Sequence, residues 1–208
     1  MSLKWKIAYL VLHPLFKWLF GAKVIGKENI PPHGPYIVAP NHTSFWDPPF
    51  VGWAMCPVET YFLAKIDLFV HNKLFGALIK FLNAIPLDRK NAIKGLKEGL
   101  RAINEGKVLV VFPEGTRNRT RDKILLPLKE GASMLALKAN VNILPVFLYE
   151  SKGSYRDWIL RKRQLAIRFG EVIDTSGFAY SKEGIKSLTK ELERRLLQLA
   201  KSNPTSRI

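Results

Sequence analysis

The chain is predicted to fold as a single α/β domain, a mixed and largely parallel sheet flanked by helices, with an amphipathic membrane-interface helix ahead of it. Three observations lead there. Short continuous apolar runs alternate with stretches of helical periodicity from Gly21 onward. No repeat, low-complexity tract or linker divides the 208 residues, of which 47% are hydrophobic and 24% charged, a composition able to bury one sizeable core. The first segment differs from the rest, so the expected division is residues 1–22 for membrane association and residues 23–208 for the α/β unit.

Residues 3–20, LKWKIAYLVLHPLFKWLF, are the most apolar stretch, but Lys6, His13 and Lys17 interrupt it before the ~20 residues that a membrane span requires. At about 100° per residue these three fall in one narrow sector of a helix, and apolar side chains cover most of the remainder. Exposed lysines, with Trp5 and Trp18 near the ends, suit a helix lying in a bilayer interface. A core helix is the competing reading, and a secretory signal lacks a small-x-small cleavage site. Pro14 is expected to kink the helix.

Strands are expected at residues 36–39, 61–64, 84–87, 107–112, 143–148 and 165–169, several of them apolar throughout, as strands buried on both faces are. Asp47-Pro48 reads as the N-cap and first residue of a helix. Residues 91–104 place Ile93, Leu96, Leu100 and Ile103 at helical spacing and stop near Gly106, and Ser181 starts a long helix reaching about Lys201. In open α/β sheets ligands collect beyond the carboxyl ends of the strands, where the polar motifs of this chain fall.

With 33 Lys and Arg against 17 Asp and Glu, the formal charge is +16, which favours a polyanionic partner. An anionic membrane and a nucleic acid both qualify by charge, but no nucleic-acid recognition motif is present and the apolar first helix favours the membrane. Cys56 is the single cysteine, so an intramolecular disulfide is excluded, and the four histidines lack metal-binding spacing; no metal is assigned.

Two motifs carry the chemistry. In Pro40-Asn41-His42-Thr43-Ser44-Phe45-Trp46-Asp47-Pro48-Pro49, His42 and Asp47 would point about 140° apart on a continuous helix, so a turn must bring them together. A carboxylate on one imidazole nitrogen fixes the tautomer and leaves the other to accept a proton from an alcohol. Taken alone, a capping aspartate beside a loop histidine is the commoner meaning of such a pair. The second motif, Phe112-Pro113-Glu114-Gly115-Thr116-Arg117-Asn118-Arg119-Thr120-Arg121, follows an expected strand. There Gly115 allows backbone N–H groups to face a phosphate, Arg117 can grip it bidentately and Thr116 adds a donor. Glu114 fits beside an anion only if it pairs with an arginine or binds a substrate hydroxyl, an orienting role. Arg119 and Arg121 fit a solvated basic turn.

Together, in this order, NHTSFWD (41–47) and FPEGTRNR (112–119) resemble the glycerolipid acyltransferase family, the lysophosphatidate acyltransferases of PlsC type. Ile85-Pro86-Leu87-Asp88-Arg89 and Ile143-Leu144-Pro145-Val146 resemble two further blocks, and the similarity covers about residues 24–175. The resemblance implies transfer of a fatty acyl group from an acyl carrier protein or coenzyme A thioester to the sn-2 hydroxyl of 1-acylglycerol 3-phosphate, giving phosphatidate in phospholipid biosynthesis. No cofactor is implied beyond the thioester co-substrate. His42 is then the general base, Asp47 its orienting partner, and Arg117 the phosphate ligand. Arg89 lies near that phosphate, and Lys65, after an expected strand, serves the same anion. The implied partners are an anionic membrane surface, the lysophospholipid and the thioester carrier, and the implied location is peripheral or monotopic on the cytoplasmic face of the cell membrane. The family's N-terminal membrane element is usually a pair of helices, whereas this chain offers one before its first strand. A hydrolase using the same pair on water is the nearest chemical rival, and a lipid- or nucleic-acid-binding protein without catalysis is the rival from another class. An acyl-enzyme route through Ser44 or Cys56 is disfavoured, Cys56 lying in an apolar context.

Overall fold

The computed structural model describes residues 1–88, 92–120, 122–151 and 154–202. The chain opens with α1 (Leu3–His13), continued by a π-helical turn over Pro14–Leu19, and β1 (Lys23–Ile25) and β2 (Tyr36–Pro40) follow. Next come α2 (Asp47–Met55), β3 (Thr60–Lys65), the short α3 (Asp67–Val70), α4 (Lys73–Phe81) and β4 (Ala84–Leu87). The second half runs α5 (Ala92–Asn104), β5 (Val108–Val110), α6 (Gly131–Ala139), β6 (Ile143–Tyr149), α7 (Tyr155–Ile159), β7 (Ala166–Phe169) and α8 (Lys182–Lys201).

The strands form one seven-stranded sheet in the order β1-β7-β6-β2-β5-β3-β4. From β6 to β4 every pairing is parallel, whereas β7 is antiparallel to β6 and carries β1 parallel at the edge. The sheet is thus mixed and largely parallel, as the sequence predicts. Strand β2 is buried along its whole length, and its side chains alternate between two cores. Tyr36 and Val38 join Phe50 and Trp53 of α2 on one face; Ile37 and Ala39 join Ile103 of α5, Leu135 of α6 and Leu188 of α8 on the other. Burial on both faces is why this strand reads as a continuous apolar run.

The larger differences from expectation have local reasons. The run at residues 107–112 pairs as a strand only over Val108–Val110, because the chain turns away at Phe112-Pro113, where proline has no N–H to continue a ladder. β1 has only three residues, too short for a pattern, and exists through its register with β7, Lys23 opposite Ala166. At Pro14 the first helix changes to the wider π form, with the Phe20 N–H donating to Leu15 O five residues back at 2.9 Å. His13, the last residue of α1, is half-buried and accepts a hydrogen bond on Nδ1 from Trp53 Nε1 at 3.3 Å, while Lys6 and Lys17 stay exposed.

The first helix is apolar on two sides. Trp5, Phe16 and Phe20 are buried in the core beneath α2, so this face belongs to the fold. On the other side Leu3, Ile7, Leu10 and Val11 are each more than half exposed. The core reading therefore holds for one face of this helix, and the other face is apolar and exposed. Among the described residues, no helix is long and apolar enough to cross a membrane.

Candidate active site

Strand β2 leaves the sheet at Pro40, and Asn41 fixes the departure by side-chain hydrogen bonds that extend the β2–β6 pairing. Its Oδ1 accepts from the Leu148 N–H at 2.7 Å and its Nδ2 donates to Leu148 O at 3.3 Å. His42 is the next residue. The loop then closes around one oxygen of Asp47: Oδ2 lies 2.8 Å from His42 Nδ1 and accepts from the backbone N–H groups of Thr43 and Ser44 at 2.7 Å each. Two obligate N–H donors make Oδ2 an acceptor, so the proton between it and the imidazole sits on Nδ1 and the lone pair is left on Nε2. Nε2 makes no hydrogen bond to any described residue, and the side chain retains 18% of its exposure, enough for a substrate to reach it. Phe112 covers one face of the ring, with centroids 4.2 Å apart at 30°.

Asp47 is not the N-cap. It is the first residue of α2, with Trp46 in the cap position making no side-chain bond. The physical reason is Pro48-Pro49: the first turn lacks two of the N–H groups a cap would serve, so the carboxylate turns back to the loop. The side chain is fully buried, and its Oδ1 has no hydrogen-bond partner among the described residues.

The second motif follows β5, the strand beside β2. Glu114, 2% exposed, forms no ion pair with an arginine among the described residues. Its Oε1 accepts from the His42 N–H at 2.6 Å and its Oε2 from the Leu126 N–H at 2.9 Å, so it ties this loop to the His42 turn. Burial pushes its pKa up, and the two backbone donors hold it back. The N–H of Gly115 donates to Phe112 O at 3.0 Å, closing the turn. At φ +65° a side chain would be strained there, and a Cβ would stand 2.8 Å from Lys129 Cδ. Thr116 is exposed and makes no contact that assigns it a role.

Arg117 is half-buried, its guanidinium carbon 5.9 Å from the centroid of Phe45, and it forms no ion pair among the described residues. It is therefore a charge held in place and available to an anion. Lys65 stands at the end of β3, one strand beyond β5, but is exposed and ion-paired with Asp67. Arg89 and Arg121 lie outside the described residues. The structure thus joins His42, Asp47, Glu114 and, through Phe45, Arg117.

Sequence reasoning missed Asn118, Phe112 and Lys129. Buried Asn118 donates its N–H to His42 O at 2.6 Å, and its side chain bonds Lys123 O and Thr120. It sits inside the motif, between Arg117 and Arg119, and its neighbours' charges drew attention from it. Lys129 packs along Gly115 from well outside the motif, where nothing in the sequence marks it.

Glu114→Gln tests the tie. An amide has a single acceptor oxygen, so either the His42 or the Leu126 N–H must face an NH2 group. We expect a stability loss of about 1–3 kcal/mol in denaturant unfolding, together with a fall in turnover of about tenfold. Unchanged values in both would show that the tie is dispensable.

A family model described as Acyltransferase matches residues 21–149. A 1-acyl-sn-glycerol-3-phosphate acyltransferase of Bacillus subtilis is 30% identical over 182 residues, covering 86% of this chain and 88% of that protein. One of Streptococcus pneumoniae is 30% identical over 167 residues, covering 79% of this chain and 60% of that protein. Among solved structures, the 1-acyl-sn-glycerophosphate acyltransferase PlsC of Thermotoga maritima superposes with a TM-score of 0.74 at 27% identity, covering 95% of this chain and 78% of that one.

Proposed function

Because the chain belongs to the Acyltransferase family, we propose that it esterifies the sn-2 hydroxyl of 1-acylglycerol 3-phosphate with a fatty acyl group carried as a thioester of acyl carrier protein or coenzyme A. The product is phosphatidate, and the reaction serves phospholipid biosynthesis at a membrane surface, on the cytoplasmic face of the cell membrane. The observation that carries this reading is the open Nε2 of an Asp47-oriented His42, hydrogen-bonded through its own backbone to the loop that presents Arg117.

The residues divide the work. Nε2 takes the proton from the acceptor hydroxyl as its oxygen attacks the thioester carbonyl carbon. The carbon–sulfur bond breaks, and the proton held on His42 passes to the departing thiolate. Asp47 holds the imidazole and offsets its transient positive charge. Arg117 binds the phosphate and so places the hydroxyl; Lys65 would have to exchange Asp67 for the same anion, and Arg89 is its further candidate partner. Direct attack needs no protein nucleophile, and burial pushes the pKa of Cys56 up, against a thiolate there.

Product analysis by mass spectrometry tests the proposal, with a panel of lysophospholipids offered alongside both thioester types. Phosphatidate formed from 1-acylglycerol 3-phosphate is the expected result, and the preferred thioester names the donor. Thioester cleavage equally fast without any acceptor would mean a hydrolase. Arg117→Ala is expected to raise KM for the acceptor by about 10–100-fold with a smaller change in kcat, and Arg117→Lys to recover part of it, because a lysine supplies charge without the bidentate fork.

A further inference from the structure

A second apolar stripe, outside both sequence motifs, lies on α3 and α4. Val70, Leu74, Leu78 and Phe81 are each more than half exposed and recur at helical spacing on one side of the pair. The hairpin is closed by Gly76, where a Cβ would come within 2.6 Å of Phe69 O and 2.8 Å of Phe69 Cα, so its outward face is held by backbone contact. Its inner face rests on the edge of the sheet through β3 and β4.

The two exposed stripes adjoin. Lys4 of α1 lies 6.0 Å from the Phe81 ring and hydrogen-bonds Asn83 at the end of α4. Between them the catalytic loop places two aromatic side chains side by side. Phe45 stacks on Phe75 of α4 at 5.6 Å, while Trp46 meets Phe16 and Phe20 below the first helix at 6.3 and 6.0 Å. The way to His42 therefore opens beside two apolar elements, not one.

We propose that the Val70–Phe81 face is a second bilayer-contacting element, docking with α1 on an anionic lipid surface so that the mouth of the active site meets the headgroups. Charge argues for lipid over a protein partner. Exposed Lys6 and Lys17 flank the first stripe and Lys73 and Lys80 the second, whereas residues 1–22 hold no acidic residue and residues 66–83 hold only Asp67, which is paired with Lys65. Apolar side chains rimmed by lysines match the acyl boundary and the anionic headgroups above it. The link from α4 through Phe75 and Phe45 to Arg117 makes this docking a way of setting the arginine at the depth of a lysophospholipid phosphate, which rests on the function proposed above.

The test is co-sedimentation of the whole chain with vesicles of equal phosphatidylglycerol and phosphatidylcholine. Leu74→Glu with Leu78→Glu is expected to weaken partitioning at least about tenfold, with an unchanged melting curve because both positions face solvent. Leu197→Glu, at an exposed site on α8, should change nothing. In turnover assays the double variant should lose about tenfold against acceptor presented in vesicles and nothing against a short-chain acceptor dissolved as monomers. Partitioning within twofold of wild type would overturn the proposal. So would a wild-type dimer in lipid-free gel filtration that becomes monomeric in the double variant, since the face would then bind a second copy. If wild type acylates neither acceptor, the proposed function fails, and the partitioning comparison still decides the surface.

Discussion

His42→Ala is expected to lower the rate of acyl transfer by about 10²–10⁴-fold, the range for removing a positioned general base. The loss should fall on kcat, because the imidazole is not asked to hold the ground-state acceptor. Arg117 and the apolar surface are, and they are untouched, so KM should change little. The substitution also strands Asp47, which is buried and keeps only the Thr43 and Ser44 N–H groups as donors. A stability loss of about 1–2 kcal/mol accompanies it, small enough for the folded protein to be assayed. Stopped-flow or quench measurement of a single turnover checks the result. Wild-type turnover in the variant would return the site to a binding role, and the inactive lipid-surface protein would become the better reading.

Asp47→Asn should produce the second-largest effect, a loss of about 10²–10³-fold in kcat. The geometry makes this substitution informative. All three hydrogen bonds of Asp47 converge on Oδ2, and Oδ1 has none. An asparagine can put its oxygen where Oδ2 was and keep the loop, the imidazole orientation and the tautomer. What it removes is the negative charge facing the imidazolium, while its NH2 group enters the site of the orphaned Oδ1. Burying that donor unpaired costs about 1–3 kcal/mol of stability. Activity falling far more than stability separates an orienting charge from a mere loop staple. A change in stability alone, at undiminished kcat, would assign Asp47 to architecture. Asp47→Ala, which removes the shared acceptor as well, should be poorly folded and is the less useful variant.

The strands and the dyad were legible because their signals are local. β4 occupies residues 84–87 as expected, and β2 and β6 each extend one residue further, since strands buried on both faces write themselves as continuous apolar runs. His42 and Asp47 are five residues apart, so the turn that joins them is encoded within it. Glu114 was placed in the site but misread, because its partners are the N–H groups of residues 72 and 12 positions away. Backbone donors carry no letter in a sequence. Gly115 has a further reason to be glycine that its motif does not spell out, a left-handed turn beneath Lys129. The first helix reads as an interface helix, with a core helix as its rival, because apolar residues cover both sides and only packing says which side the fold takes. The stripe on α3 and α4 went unread because α3 has four residues and the pair follows a strand without a cap signal at its start.

One arrangement at His42 bears on which hydroxyl is acylated. Its N–H is held by Glu114 and its C=O by the N–H of Asn118, both at 2.6 Å, and both holders flank Arg117 in the same loop. The imidazole-bearing residue and the loop that carries the arginine are thereby fixed to one another through bonds on either side of the His42 Cα. In the proposed complex they form a ruler: a phosphate seated at one end brings a single position along the glycerol chain to the other. Selectivity for sn-2 then follows from the number of covalent bonds between phosphorus and hydroxyl, and a longer or shorter spacing misses Nε2 however well its headgroup binds.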